Sequence, residues 1–458
     1  MGKDIETPMV DHRYNHSPAG TAGRPPWRWR AAGIAGLAGL AVTTATLATT
    51  ALAGAQPAQA APPTVFQGDP RDRPPDWVRG GAPVQAGVTI PCDANDLIVA
   101  IGFANATGGG VLDLADDCTY TLTLDINGAG LPAIITPITL NGGDDTTIER
   151  AAAADPFRIL TVDAGGDLIL NQLTITGGQN TAVGIDGGGI LVNAGGALTA
   201  NDSTITRNIT TRNGAGIFNA GTTVVTRSNV SRNASGVSGG GIYSSGQLTV
   251  RDSRVAANTA TFTGAGISTL GTMLVDGSWI TANRAGAAAG GLAIFGGTSS
   301  VVESHITNNT AAAIGGILAD VGQLALHAVV IANNGATGAG GGGLGVSNGA
   351  TVDASETIIR NNTAVTDGGG ILNSGETVLQ QSEVSDNQAG DQGGGNYNTS
   401  TGTLIFFGTE VTENLAITDG GGIFNEVNGT VELNIASGTT VINNRPNNCS
   451  GNVPACVG

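Results

Sequence analysis

The sequence predicts an all-β protein: a right-handed, single-stranded parallel β-helix (a solenoid) of about 12–13 coils with an N-terminal capping helix. Three observations predict this fold. Gly-rich triplets recur at intervals of 25 or 27 residues, counted at the residue that follows each triplet. A second element, which runs from a hydroxyl residue through a β-branched residue to Asn, recurs with the same period. The chain has no proline between Pro156 and Pro446, as expected where every backbone N–H feeds a ladder.

The Gly-rich triplets indicate a turn that recurs once per coil. In Gly239-Gly240-Gly241-Ile242 an apolar residue directly follows three glycines. Glycine is favoured where φ is positive or where another backbone segment approaches closely, so we expect the turn to need one or both. The triplets, some of them interrupted by Ala or shortened, begin at Gly187, Gly214, Gly239, Gly264, Gly290, Gly315, Gly342, Gly368, Gly393 and Gly420.

The second repeated element predicts both an interior and a tight turn, as in Ser253, Val255 and Asn258. Val and Ile pack well on a pleated surface, so their column should fill the interior. Asn tolerates a left-handed backbone, and its amide carries both donor and acceptor, so the Asn column should form a hydrogen-bonded ladder. The predicted ladder consists of Asn208, Asn233, Asn258, Asn283, Asn309, Asn334, Asn362, Asn387, Asn414 and Asn444.

Residues 1–60 are predicted to be a signal peptide. Arg24 and two further arginines precede an uncharged run that ends in small residues, which is typical of an export signal. We place the cleavage after Ala60, with cleavage after Ala55 as the alternative. An uncleaved membrane anchor is the competing interpretation, because the uncharged run is long enough to span a bilayer.

The rest of the chain divides into three regions. Residues 61–88 are rich in proline and predict an extended linker. Residues 89–130 should form an N-terminal cap, because apolar residues behind the candidate N-cap Asp93 recur near helical spacing. Residues 131–458 should form the parallel β-helix with a disulfide cap at its C-terminal end. Repeat arrays need such caps to cover the apolar ends of their cores.

The four cysteines fall into two local pairs, Cys92 with Cys118 and Cys449 with Cys456. In an exported chain, disulfides are the expected state of such pairs. Each bridge would close a loop at one end of the fold. The competing interpretation is four free, buried thiols.

Charge excludes one class of partner. Removal of residues 1–60 leaves 14 Arg, no Lys and 33 Asp or Glu, which is a formal charge of −19. Nucleic-acid binding is excluded, since it needs a basic surface to neutralise phosphates. We expect a secreted, extracellular monomer without a membrane partner after cleavage, whose ligand is an extracellular polysaccharide or another cell-surface ligand. No cofactor is expected, with calcium as the one exception.

The repeated Gly-Gly-Gly-Ile and Ser-x-Ile-x-x-Asn units resemble the repeats of polymorphic outer-membrane proteins and, more loosely, the pectate-lyase-like β-helix superfamily. The resemblance covers residues 160–445. The first family usually places an aromatic residue three positions before the Asn, whereas this chain has Val or Ile there. The segment around Cys92 and Cys118 is similar to the N-terminal cap of exported bacterial β-helix proteins. Enzymes of the superfamily use clustered carboxylates, often with calcium and a basic residue.

Three acidic residues are candidate calcium ligands. Asp367, Asp391 and Asp419 occur just before the Gly triplets of three successive coils, so they are expected to stack as an acidic column. The competing interpretation is that they are solvated turn residues, because Asp is a common turn former.

Four aromatic residues are candidate ligand contacts. They directly follow the apolar residue after a triplet, in two pairs from adjacent coils: Phe218, Tyr243, Tyr397 and Phe424. Alternation along the strand should turn their rings outward, where they could contact sugar faces. The competing interpretation is an ordinary surface stack between coils. His305 and His327 are interpreted as surface residues, and Trp279 is the only tryptophan in the repeats.

Two functions remain open. The nearly regular repeat favours a non-catalytic extracellular binding or adhesion module for glycans or cell-surface polymers, because catalytic sites usually interrupt a repeat with longer loops. The alternative is a polysaccharide lyase or hydrolase, in which the three aspartates would hold calcium beside an arginine.

Overall fold

The computed structural model describes residues 87–143, 145–181 and 184–457, which leaves the predicted signal peptide and almost all of the predicted linker outside the described residues. Within the described part of the chain, each full coil contributes one strand to each of four parallel sheets. We name them A, B, C and D in the order in which a coil passes through them, and they contain 14, 13, 10 and 12 strands among these residues. The predicted all-β parallel β-helix is confirmed.

The strands are short and repeat with the coil. Sheet A consists of Val88–Ile90, Gly110–Leu114, Pro137–Asn141, Asp167–Asn171, Ala197–Asn201, Thr222–Thr226, Gln247–Arg251, Thr272–Asp276, Thr298–Val302, Gly322–His327, Ala350–Ser355, Glu376–Gln380, Thr403–Phe407 and Thr430–Asn434. Sheet B consists of Thr119–Leu122, Thr147–Arg150, Thr174–Thr176, Thr204–Thr206, Asn229–Ser231, Arg254–Ala256, Trp279–Thr281, His305–Thr307, Val330–Ala332, Ile358–Arg360, Glu383–Ser385, Glu410–Thr412 and Thr440–Ile442. Sheet C consists of Gln179–Asn180, Ile209–Thr210, Ala234–Ser235, Thr259–Ala260, Arg284–Ala285, Thr310–Ala311, Gly335–Ala336, Thr363–Ala364, Gln388–Ala389 and Leu415–Ala416. Sheet D consists of Leu160–Val162, Ile190–Val192, Ile217–Asn219, Ile242–Ser244, Ile267–Thr269, Leu292–Ile294, Ile317–Ala319, Leu344–Val346, Ile371–Asn373, Asn396–Asn398, Ile423–Asn425 and Cys449–Ser450.

The solenoid is slightly longer than the predicted 12–13 coils, with 14 strands in sheet A among the described residues. The difference lies at the N-terminal end. Strand Val88–Ile90 begins within the predicted linker and pairs with Gly110–Leu114 of the predicted cap. Neither strand carries the Gly triplet or the Asn element, so the repeat period gives no signal for them.

The interior is built from side chains at equivalent positions of successive coils. In sheet B, Val255 pairs with Val230 on one side and with Ile280 on the other. All three side chains are 0% exposed. Because neighbouring residues of a strand point to opposite faces, the middle residue of each three-residue strand points inward. The predicted Val/Ile column is therefore confirmed as the inner face of sheet B.

The predicted Asn ladder follows each strand of sheet B. The Asn258 amide nitrogen donates to the carbonyl oxygen of Val230 at 2.9 Å and to Oδ1 of Asn283 at 3.0 Å. Oδ1 of Asn258 accepts from both the backbone N–H and the side-chain amide of Asn233, each at 3.0 Å. Every ladder Asn is buried. The ladder thus provides hydrogen-bond partners both for the buried side-chain amides and for buried backbone groups of the turn.

The Asn residues do not adopt the left-handed backbone that the sequence analysis expected of them. The residue immediately before each ladder position does so, for example Arg232 with φ 56° and Ala257 with φ 55°. Both residues are exposed. The ladder side chain must point inward to reach the neighbouring coil, whereas the exposed residue before it can make the turn without losing a buried contact.

The Gly triplets need glycine for both predicted reasons, at different positions. Gly239, the first residue of its triplet, has φ 64°. At Gly241, the third residue, a Cβ atom would lie 2.6 Å from the carbonyl oxygen of Gly266 and 2.9 Å from the amide nitrogen of Asn258. The third glycine therefore gives the ladder room to form.

A helix lies at the N-terminal end of the coils. Helix α1 spans Ala94–Thr107, and the Asp93 side chain caps it by accepting the N–H of Asn95 at 2.7 Å. Its residues Leu97 and Ile101 are 0% exposed and belong to the same hydrophobic cluster as the interior of the coils. Near the other end, Ile435–Ser437 form a short 3-10 helix.

Both predicted disulfides are formed, Cys92–Cys118 near α1 and Cys449–Cys456 at the C-terminal end. Among the described residues, no helix has the length and apolar character needed to cross a membrane.

Replacement of Asn258 by Ala should lower the free energy of unfolding by about 1–3 kcal/mol, because the groups bonded to its amide stay buried and lose their partners. Urea unfolding followed by circular dichroism measures this change. Thr259→Ala is the matched control, since Thr259 is the exposed next residue, and it should change stability by less than about 0.5 kcal/mol. Equal, small effects of the two substitutions would contradict the contribution of the Asn ladder to stability.

Candidate ligand-binding surfaces

The outer face of sheet D carries the first predicted pair of rings. Phe218 and Tyr243 are register partners, and the flanking residues Ile217 and Ile242 are 0% exposed and point inward. The two rings are stacked, with centroids 5.3 Å apart and an angle of 10° between their planes. Both rings are half-buried. The predicted outward direction of this pair is correct, and so is the stack between coils.

The second predicted pair lies on the same column of sheet D. The rings of Tyr397 and Phe424 are stacked with centroids 5.1 Å apart and an angle of 11° between their planes. Six coil steps separate Tyr243 from Tyr397, which is about 29 Å at about 4.8 Å per parallel strand. The column between the pairs is filled by small or aliphatic residues: Ser268, Ala293, Leu318, Gly345 and Leu372.

Polar groups flank the second pair. The hydroxyl of Tyr397 donates to Oε1 of Glu426 at 2.6 Å, and the N–H of Ser400 donates to Oε2 of the same carboxylate at 2.8 Å. Burial, together with the hydrogen bond and charge of Glu426, raises the pKa of Tyr397. The hydroxyl therefore stays protonated and acts as a donor. The sequence analysis did not identify Glu426, because it lies outside the repeated elements.

Polar groups also flank the first pair. Oδ1 of Asp186 accepts from Nε of Arg212 at 3.2 Å and from the backbone N–H of Asn213 at 3.1 Å. Burial raises the pKa of Tyr243, and the charge of Asp186 raises it further. Each ring pair thus combines an apolar face with nearby donors and acceptors.

The predicted acidic column is wrong in its register. The backbone N–H of Gln392 donates to Oδ1 of Asp367 at 3.1 Å, and Gln392 in turn pairs with Asp419. Asp391 lies one residue earlier and bonds to the backbone of Thr366 instead. The sequence already shows this difference in register. Asp367 and Asp419 directly precede a Gly triplet, whereas Gln392 lies between Asp391 and its triplet.

The environments of two of these carboxylates differ. Burial raises the pKa of Asp367. Hydrogen bonds from the Ser450 hydroxyl at 2.6 Å and the Asn447 amide at 2.8 Å lower the pKa of Asp419. Asp419 thus holds the C-terminal segment in place. No three His, Cys, Asp or Glu side chains in residues 87–143, 145–181 and 184–457 come close enough to share a metal ion, so the three aspartates do not form one ligand group.

Sheet B carries a ring stack that the sequence analysis missed. The rings of Trp279 and His305, which are register partners, are stacked with centroids 3.9 Å apart and an angle of 12° between their planes. Trp279 is 49% exposed. Burial lowers the pKa of His305. The sequence could have predicted this stack. Trp279 and His305 each directly follow the hydroxyl residue of their repeat, so they occupy equivalent positions in neighbouring coils.

No protein-family model matches this chain, and no curated protein matches its sequence. Among solved structures, it is similar to the A-module of a mannuronan C-5 epimerase from Azotobacter vinelandii, with 13% sequence identity and a TM-score of 0.43, over 79% of this chain and 92% of that one.

Replacement of Asp367 by Asn should stabilise the fold increasingly as the pH rises from about 4 to 7. The pKa of Asp367 is raised in the folded state, so its favourable contribution is complete at low pH and is lost as the carboxyl ionises. Asn keeps the acceptor for the N–H of Gln392 without the charge. Thermal melts across this pH range measure the difference from the unsubstituted chain. Asp386→Asn is the control, because Asp386 is exposed and its charge does not contribute to the pKa shift of Asp367, and the prediction fails if it produces the same pH-dependent gain.

Proposed function

We propose that this chain is a non-catalytic, extracellular binding module that holds an extended glycan or cell-surface polymer along the outer face of sheet D. The observation that carries the proposal is the recurrence of a stacked, outward-facing ring pair at two places on one column. An aromatic ring offers an apolar face and, in Tyr, a polar tip, which matches a sugar ring with apolar C–H faces and hydroxyl edges. The two disulfides support an extracellular location.

The spacing of the ring pairs supports a polymer over a small ligand. The pairs lie about 29 Å apart along the column, so only an extended molecule can contact both. Between the pairs, Leu318 and Leu372 are half-buried whereas Ser268, Ala293 and Gly345 are buried, so a polymer would contact this part of the column mainly at the two Leu side chains. Two weak contacts to one polymer raise its overall affinity, because the second contact forms at a high effective concentration.

Hydrogen-bonding groups beside each ring pair support a hydroxyl-rich ligand. At one pair, the Tyr397 hydroxyl donates its only proton to Glu426, so this pair offers acceptor oxygens to a ligand, whereas Asp186 with Arg212 supply an acceptor and donors at the other. In polysaccharide recognition the rings would supply the contact area, and these polar groups would select the orientation of the hydroxyls.

A polysaccharide lyase or hydrolase is the second candidate function, and one observation favours it. The half-buried carboxyl of Asp367 has a raised pKa, and the charges of Asp391 and Glu426 contribute to the shift. A carboxyl with a raised pKa in a group of acids is suited to act as a general acid. The enzyme would then act at the Tyr397 end of the same ring column.

Tyr243→Ala and Tyr397→Ala should each weaken retention on the bound polysaccharide about fivefold, since one aromatic contact is worth about 1 kcal/mol. Affinity electrophoresis in gels that contain acidic or neutral polysaccharides, with and without calcium, measures retention. Phe407→Ala is the matched control, because Phe407 is an aromatic residue of sheet A that is 40% exposed. Thermal melts confirm that each variant is folded.

Product formation is measured in the same screen. Retention that is unchanged in both Tyr variants would contradict the binding surface. If the chain cleaves a polysaccharide, and Asp367→Asn abolishes this turnover while retention persists, the result would support the enzyme and contradict the non-catalytic binding module.

A further inference from the structure

The coils of the β-helix do not need the Trp279–His305 stack on sheet B in order to form. The same outward position is filled by Asn229 and Arg254 in the two preceding coils and by Val330 after His305. The fold therefore does not require an aromatic residue there. Yet the indole is held parallel to the imidazole at 3.9 Å and remains 49% exposed, so one broad apolar face is presented to solvent.

An open hollow lies beside the indole, with a volume of about 420 Å³. Gly277 lines this hollow and occupies a corner position between sheets A and B. The equivalent residues of the three preceding coils carry charged side chains on a left-handed backbone: Asp202, Arg227 and Asp252, with φ between 47° and 49°. Gly277 has φ 54° and no side chain, and a Cβ atom there would lie 2.8 Å from Oδ1 of Asp252, so Gly277 leaves room for this carboxylate beside Trp279.

The charges around the hollow are balanced. Within the described part of the chain, the ion pairs at this corner join Arg227 to Asp202 at 2.7 Å and Arg251 to Asp276 at 3.7 Å. Asp252 and Arg254, which also line the hollow, lie outside these pairs. They offer an acceptor and a donor in the coil that precedes the exposed ring.

Two Asp and two Arg line the hollow, so its formal charge is zero. Such a site favours a neutral ligand with several hydroxyls over an ion, because a charged ligand would meet one repulsive partner for each attractive one. An apolar face flanked by a donor and an acceptor matches a neutral sugar ring stacked on the indole.

We infer that Trp279, Asp252 and Arg254 form a second saccharide site, specific for a neutral sugar and separate from the ring column of sheet D. This inference goes beyond the proposed function, because it assigns a second ligand site to another sheet of the same coils. A chain that carries both sites can hold two polymer strands at once and so link them.

Fluorescence of a single tryptophan tests the inference. In the full chain with Trp27, Trp29 and Trp77 replaced by Phe, Trp279 is the only indole. The probes are the neutral hexasaccharides cellohexaose, xylohexaose and mannohexaose, with hexagalacturonic acid as the charged comparison. At least one neutral probe should produce a saturable change in emission at concentrations where the charged one does not.

Two substitutions at the hollow and two controls define the site. Asp252→Asn and Arg254→Gln should each weaken the binding of the neutral probe about tenfold. Phe262→Ala removes a ring that is exposed to a similar extent, 52%, and should change nothing. Tyr243→Ala should also leave the indole response unchanged.

Three outcomes would overturn the inference: no saturable response to any neutral probe, a response that both hollow substitutions leave intact, or a response that Tyr243→Ala abolishes. An indole response that persists while the Tyr variants keep full polymer retention would contradict the proposed function and leave this second site standing. Thermal melts of all variants exclude unfolding as the cause of a lost response.

Discussion

The structure depends on the backbone pairing of each coil with the next in fixed register. In a parallel stack, residues at equivalent positions lie directly above one another, so any side chain that suits its neighbour can be repeated. The Asn ladder locks this register, because each amide bonds both to the next Asn and to a carbonyl of the preceding coil, as at Asn258. A shift by one residue would turn the interior Val and Ile side chains to the solvent.

The same constraint creates the candidate binding surfaces. Aromatic residues at the same position of two successive coils stack because the register places one ring above the other, as for Phe218 with Tyr243 and for Trp279 with His305. Positions on the outer face do not affect the packing of the interior, so they are free to carry rings and charges. A straight array of such positions suits an extended ligand, since contacts along the array match repeating units of a polymer.

The period of the sequence predicted what repeats: the sheets, the interior column, the Asn ladder and the glycine turns. The disulfides were predictable because each pair is local. The register of Asp391 was mistaken because Gln392 fills the position directly before the triplet, and Asp391 fills the position that Thr366 and Thr418 occupy in the neighbouring coils. The hollow at Gly277 and the partner of Tyr397 could not be predicted, since they depend on which side chains of neighbouring coils approach in space. The pKa shift of Asp367 depends on burial, which the pattern does not encode.

Deletion of whole coils tests the register constraint most directly. Removal of residues 254–278 takes out one repeat of 25 residues and joins Ser253 to Trp279 in the same register. The matched deletion of residues 254–277 removes one residue fewer and shifts everything that follows. Urea unfolding followed by circular dichroism should show a cooperative, β-rich fold for the first variant and a large loss of stability for the second. Equal stability of the two variants, or failure of the first to fold, would contradict the account.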